Sequence, residues 1–190
     1  MKRIDTEIPG VFILEPRVFK DARGYFVETW NERVFAELGI QAKFVQDNES
    51  FSQYGVIRGL HFQKAEATQA KLVRVLHGEV LDVALDLRMG SRTFGKHVAI
   101  RLSGENHRQL YIPRGFAHGF AVLSKTTLFV YKCDNFYTPT QDGGILATDP
   151  ALKIDWMIQE KDQILSEKDR KALSWARYCA DPVFHIEDFS

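Results

Sequence analysis

Apolar residues in this chain recur at every second position over many short stretches, rather than every third or fourth over a few long ones. The alternation predicts strands over Val11–Leu14, Tyr25–Trp30, Val56–Phe62, Lys71–Leu76, Val80–Leu87, His97–Leu102, Gln109–Ile112, Phe120–Leu123 and Thr127–Cys133. Turn-forming residues separate most of them, as at Gly10, Asp21 to Gly24, Gly55, Gly78, Gly90-Ser91, Gly104 and Pro113 to Gly115. Short strands with regular punctuation indicate an all-β sandwich or barrel. Helices are few. Asn31 can cap Glu32–Leu38, which ends at Gly39, and Ser166 with Asp169 three residues later opens a helix through Leu173. From about Asp149 the pattern is mixed and reads as a lid or appendage, so residues 1–190 are taken as one domain.

Strand parity sorts polar side chains onto faces. Tyr131 falls with Phe129 and Cys133, His118 with Phe120 and Val122, and Lys71 with Val73 and Val75, so all three are expected inside. His61 falls with Ile57 and Gly59, which sets Arg58 on the opposite face from it. Asp82 and Asp86 alternate with Leu81, Val83, Leu85 and Leu87; one of them is expected to neutralise Lys71 or orient a histidine. Taken singly, a core histidine or tyrosine is ordinary. Several ionisable groups converging on one interior are the equipment of a site for proton transfer beside a carbonyl.

Composition narrows the partners. Lys plus Arg and Asp plus Glu both number 25, so the net charge is zero. That leaves no basic field for nucleic acid and no basic amphipathic segment for a membrane surface, although a local cluster can still hold a phosphorylated small molecule. The first residues lack the apolar core of a signal peptide, and no run approaches membrane-spanning length. Cys133 and Cys179 are too few for a disulfide framework, and a cytoplasmic location with reduced thiols is expected.

Motifs then run nearly end to end: Leu14-Glu-Pro16, Asp21-Ala-Arg-Gly-Tyr-Phe26 with Glu28, Phe44-Val-Gln-Asp-Asn48, Arg58-Gly-Leu-His-Phe-Gln63 and Lys71-Leu-Val-Arg74. They continue through Gly78 to Asp86, Thr93-Phe-Gly95, Ile112-Pro-Arg-Gly-Phe-Ala-His-Gly119, Tyr131-Lys132, Asp149-Pro150 and Leu165-Ser-Glu-Lys-Asp169. In these blocks the chain resembles the dTDP-4-dehydrorhamnose 3,5-epimerases, the cofactor-independent nucleotide-sugar epimerases of L-rhamnose synthesis. The resemblance implies a cupin-like β-jelly roll, a homodimer, and epimerisation at C3 and C5 of dTDP-4-dehydro-6-deoxy-D-glucose. Among residues, it implies His61 as base, Tyr131 as acid, Asp169 paired with His61, and Lys71 near the sugar carbonyl. Arg23, Glu28, Gln46, Asn48, Arg58, His118 and Lys168 match nucleotide-sugar contacts, Tyr137 the aromatic that stacks on thymine, and Asp142 a position where the family often has Glu. Tyr111 stands where the family has Trp, and Ile154-Asp-Trp-Met157 replaces its Ile-x-Trp-Pro.

Three other readings compete. A single-carbon epimerase on the same nucleotide sugar differs only in outcome. A metal-dependent cupin needs closely spaced ligands, yet Gln63 follows His61 and no carboxylate follows at suitable spacing; no metal or cofactor is expected. A carbohydrate-binding module would account for aromatic and polar groups on a β-sandwich but not for a His–Asp pair facing a tyrosine.

Overall fold

The computed structural model describes residues 1–189. In chain order its strands are β1 (Lys2–Asp5), β2 (Phe12–Glu15), β3 (Val18–Asp21), β4 (Gly24–Val27), β5 (Gln46–Gln53), β6 (Ile57–Gln63), β7 (Lys71–His77), β8 (Glu79–Asp86), β9 (Arg88–Met89), β10 (His97–Ser103), β11 (Gln109–Ile112), β12 (Phe116–Val122), β13 (Thr126–Cys133), β14 (Asp142–Gly144) and β15 (Phe184–His185). The helices are α1 (Glu32–Glu37), α2 (Glu167–Arg170) and α3 (Trp175–Ala180). Two antiparallel sheets face each other as a cupin-like jelly roll. One is six-stranded in the order β1-β2-β11-β7-β13-β5, the other five-stranded in the order β10-β8-β12-β6-β14. β3 and β4 pair only with each other, as a separate two-stranded ribbon.

Alternation builds three apolar layers. Between the sheets lie Val73 and Val75 of β7, Val80 and Ala84 of β8, Phe116, Phe120 and Val122 of β12 and Phe129 of β13. Phe120 and Phe129 stack at 4.2 Å between ring centroids and form the floor beneath the polar part of the barrel. The other parity of β8, Leu81, Val83 and Leu85, faces away from the barrel, as does Leu87 just beyond the strand. The C-terminal segment covers it with Ile145, Leu152, Trp156, Ile158, Tyr178 and Phe184. This segment is therefore a packing layer and not a lid: Tyr178 donates its buried hydroxyl to the Leu87 carbonyl at 2.8 Å, and Trp156 donates Nε1–H to Ala147 O at 2.8 Å. The third layer lies outside the six-stranded sheet, where Phe35 of α1 packs on Phe12, Leu14 and Leu72. Asn31 caps α1 by accepting from the amides of Arg33 and Val34.

Several boundaries differ from the alternation. Gln46–Gln53 is a strand although only Phe51 in it is a large apolar residue, because it is an edge strand whose inward row is polar. β12 begins at Phe116 rather than Phe120; it is buried on both faces, so small residues at Ala117, Gly119 and Ala121 mask the period. The helix opened by Ser166 lasts one turn, and α3 follows it. Asp86 serves the fold. Its carboxylate accepts from Arg88 Nε and Nη2, Ser91 Oγ and Thr93 Oγ1 at 2.6–2.9 Å and fastens the turn into β10. Burial alone would raise its pKa, but those donors hold it below the ordinary carboxylate value.

Candidate active site

The inner faces of β5, β6, β7, β12 and β13 meet around a cavity of about 160 Å³ lined by Glu49, Ser50, Arg58, His61, Lys71, His118, Gly119, Phe120 and Tyr131. Arg58 and His61 both reach it, against simple parity. The reason is an irregularity in the β6–β12 ladder. Phe120 pairs with Arg58 and His118 with His61, so Gly59 and Leu60 together face the single Gly119. The extra residue shifts the phase of β6, a bulge that re-aims the side chains after it. His61 thereby leaves the face of Ile57, which stays in the outer apolar layer with Leu60 and Phe62, and joins Arg58. Only glycine fits the crossing. A Cβ on Gly59 would lie 2.6 Å from both Gly119 Cα and His118 O, and one on Gly119 would lie 2.6 Å from Arg58 O. Gly59 also has φ +111, a conformation that L side chains rarely adopt.

Two His–carboxylate pairs sit on this wall. His61 Nε2 lies 2.5 Å from Asp169 Oδ1, and Asp169 Oδ2 accepts from Ser166 Oγ at 2.8 Å. Ser166 also caps α2 by accepting the Asp169 amide, so the cap sets the carboxylate's position. Burial would raise the Asp169 pKa, but the hydrogen bonds from His61 and Ser166, and Lys168 nearby, hold it below the ordinary value. With Asp169 ionised the His61 proton resides on Nε2, which leaves the lone pair on Nδ1. The second pair is buried: His118 Nε2 lies 2.9 and 3.1 Å from the two oxygens of Asp82. Asp82 is thus the β8 carboxylate that orients a histidine. Burial pushes the His118 pKa down, with Asp82 opposing and Lys71 and His61 assisting.

Across the barrel, Tyr131 rises from β13 and Lys71 from the adjacent β7, with Lys71 Nζ 5.8 Å from the Tyr131 ring centroid. Burial raises the phenol pKa, helped by Cys133 and opposed by Arg58. Burial lowers that of the Lys71 ammonium, against the pull of Cys133, Asp82 and Asp142. The His61 imidazole and the Tyr131 phenol therefore stand on opposite sheets, the first with His118 as its cross-strand partner and the second with the Lys71 amine beside it.

The remaining expected contacts divide by location. At the mouth, the Gln46 amide donates to Asn48 Oδ1 at 2.9 Å, and Gln46 Oε1 accepts the Tyr137 backbone N–H at 3.0 Å. Tyr137 is half-exposed beside the exposed Phe136. Lys168 pairs with Asp142, which also accepts from Gln63 at 3.3 Å. Arg58 donates Nε–H to Ser52 Oγ at 3.1 Å. Arg23 and Glu28 are elsewhere. Arg23 sits in the turn of the β3–β4 ribbon, ion-paired with Asp21 at 2.6 Å, and Glu28 accepts from Asn31; neither lines the cavity. Glu49 and Ser50 line it without having been expected, and Phe120 lines it from the face that parity shares with His118. The signal for Ser50 was present as the alternate polar row Gln46, Asn48, Ser50, Ser52. Among the described residues no group of three or more His, Cys, Asp and Glu side chains could hold a metal ion. No helix among them is long and apolar enough to cross a membrane.

A jelly roll whose interior gathers two oriented imidazoles, a phenol and an amine defines a cupin-like enzyme equipped for acid–base chemistry. The comparisons narrow the class. The model of the dTDP-4-dehydrorhamnose 3,5-epimerase family matches residues 5–177. The epimerase of that name from Shigella flexneri is 54% identical over 170 residues, covering 89% of this chain and 93% of its own. That from Methanothermobacter thermautotrophicus is 50% identical over 182 residues, covering 95% and 96%. The dTDP-6-deoxy-D-glucose-3,5-epimerase of Legionella pneumophila, solved in complex with dTDP-4-keto-L-rhamnose, superposes with a TM-score of 0.92 at 48% identity over 97% of each chain. The chain belongs to the dTDP-4-dehydrorhamnose 3,5-epimerase family and is an isomerase.

The glycine crossing makes one prediction. Gly59→Ala should cost about 1–3 kcal/mol of stability in chemical denaturation through overpacking and lower turnover at least about tenfold by dislodging His61. Unchanged stability and turnover would show that the crossing does not set the site.

Proposed function

We propose that this enzyme inverts C3 and C5 of dTDP-4-dehydro-6-deoxy-D-glucose, giving dTDP-4-dehydro-L-rhamnose. The observation that carries the reading is the placement of the Asp169-bound His61 on one sheet and Tyr131 on the other, across a single cavity. Inversion at a carbon requires a proton to leave one face and another to arrive at the opposite face, so acid and base must flank the ring. Both carbons lie α to the C4 ketone, which makes their protons removable once the enolate is stabilised.

In this mechanism His61 takes the proton through Nδ1, and Asp169 fixes its tautomer and stabilises the imidazolium. Negative charge at O4 is met by Lys71, whose amine donates in either protonation state, with His118 lining the wall beside it; a preorganised donor of this kind is typically worth about 10²–10³ in rate. Tyr131 returns a proton to the other face. After each inversion the imidazolium carries one extra proton and the phenolate lacks one, and exchange with solvent resets both. At about 160 Å³ the cavity is smaller than the roughly 300–1,000 Å³ typical of small-molecule sites. It therefore holds the reacting ring, and the nucleotide extends towards the mouth. There Arg58 and Lys168 suit the diphosphate, with Arg able to make forked contacts. Tyr137 stacks on thymine, and Gln46, Asn48 and Asp142 supply polar contacts.

The chain works as a homodimer on this account. Phe19, Tyr25 and Phe26 are exposed to 49%, 59% and 69% on a ribbon that pairs with neither main sheet. A second copy covering this ribbon buries those rings and brings Arg23 and Glu28 to a cavity that their own chain's copies do not line. Zero net charge and two free cysteines suit a cytoplasmic enzyme without nucleic-acid or membrane partners.

Two experiments follow. His61→Ala should reduce solvent proton exchange at both carbons by about 10²–10⁴, whereas Tyr131→Phe should retain exchange while losing net inversion. Full exchange in the first, or normal product formation in the second, would remove the assigned role. For assembly, light scattering should give a dimer that Phe26→Asp shifts to monomer; a monomeric wild type at micromolar concentration would refute the shared site.

A further inference from the structure

The inward row of β5 consists of Gln46, Asn48, Ser50 and Ser52, and three of the four have partners. Gln46 bonds Asn48 and the Tyr137 amide. Asn48 Nδ2 lies 3.8 Å from Cys133 Sγ, and Ser52 Oγ accepts from Arg58. Ser50 differs. Its Oγ is shut off from water and has no hydrogen-bond partner, the only buried side-chain nitrogen or oxygen in that condition among the described residues. Its cross-strand neighbour is Phe129, whose ring stacks on Phe120, so the floor of the barrel offers it nothing polar. Yet Ser50 lines the same cavity as Arg58, His61, Lys71, His118 and Tyr131.

An orphaned buried hydroxyl weakens a fold, and alanine at this position would avoid the cost. The hydroxyl is accounted for when it turns about χ1 towards the cavity that Ser50 lines and a ligand there supplies its partner. We propose that Ser50 Oγ hydrogen-bonds the C2 hydroxyl of the bound hexose and acts as a specificity-determining residue; this rests on the epimerase reading above. The chemistry selects that group. Around Ser50, His61, Tyr131 and Lys71 serve on that reading as base, acid and O4 donor, and so engage C3, C4 and C5. Of the substrate's hydroxyl-bearing ring carbons, C2 alone keeps its configuration through both inversions. A fixed wall hydroxyl can therefore hold it equally in the ground state and the transition state. Such uniform binding appears in KM rather than in kcat.

The test compares wild type and Ser50→Ala on dTDP-4-dehydro-6-deoxy-D-glucose and on its 2-deoxy analogue. On the parent sugar the variant should lose about three- to tenfold in kcat/KM, carried by KM, the size of one neutral hydrogen bond. On the 2-deoxy analogue it should equal wild type, and its ligand-free melting temperature should match or exceed that of wild type. An equal loss on both substrates, no loss on the parent, or a loss carried by kcat would overturn the assignment. A wild type that turns over neither sugar would refute the epimerase reading and the Ser50 contact with it. A wild type that turns over the parent, matched by Ser50→Ala, would refute the contact alone.

Discussion

The close crossing of β6 and β12 is the constraint on which the site depends. Where Gly59 and Leu60 face Gly119, the two backbones approach to a distance that leaves no room for a Cβ on either glycine. The extra residue puts Arg58 and His61 on one inner face while Ile57, Leu60 and Phe62 stay in the outer apolar layer. A regular ladder would leave one of the two polar side chains in that layer, with no water and no partner. The bulge lets β6, whose other face is buried in the outer apolar layer, carry an imidazole and a guanidinium to the barrel cavity.

The interior that results is nearly uniform in its electrostatic effect. Burial drives the Lys71 and His118 pKa values down and that of Tyr131 up, so each group is pushed towards its neutral form. Asp169 is the exception, kept ionised by its hydrogen bonds and by Lys168 despite its burial. For enolate chemistry this combination is useful. The raised pKa keeps the phenol protonated, as the acid role proposed for Tyr131 requires, and the ionised Asp169 suits the imidazolium of the proposed base. Zero net charge does not make the surface uniform: Arg58 lines the cavity, and Lys168 is held against Asp142.

Much of the barrel was legible in the sequence, because inward polar residues on apolar strands stand out. Lys71 beside Val73 and Val75, His118 beside Phe120 and Val122, and Tyr131 beside Phe129 all lie on the faces that parity gives them. The failures share a physical cause. Parity placed His61 with Ile57 because a bulge of one residue has no signature beyond its glycines. β5 walls a polar site and has no apolar face towards the barrel, so apolar alternation does not report it; its only signal is the alternate polar row to which Ser50 belongs. The C-terminal segment looked like an appendage because its apolar residues are scattered over irregular chain; only the outer face of β8 gives them a common surface. Arg23 and Glu28 were matched by motif, and their place outside their own chain's cavity follows from topology, which no local pattern reports.

A single enolate-forming site that serves two carbons leaves an isotopic signature at both. The most direct measurement is NMR of dTDP-4-dehydro-6-deoxy-D-glucose incubated with the wild-type enzyme in D₂O, following C3 and C5 separately. The account requires deuterium at both carbons together with the L-configured product. Exchange confined to one carbon would make this a single-carbon epimerase, and exchange at neither with the nucleotide sugar bound would contradict the account.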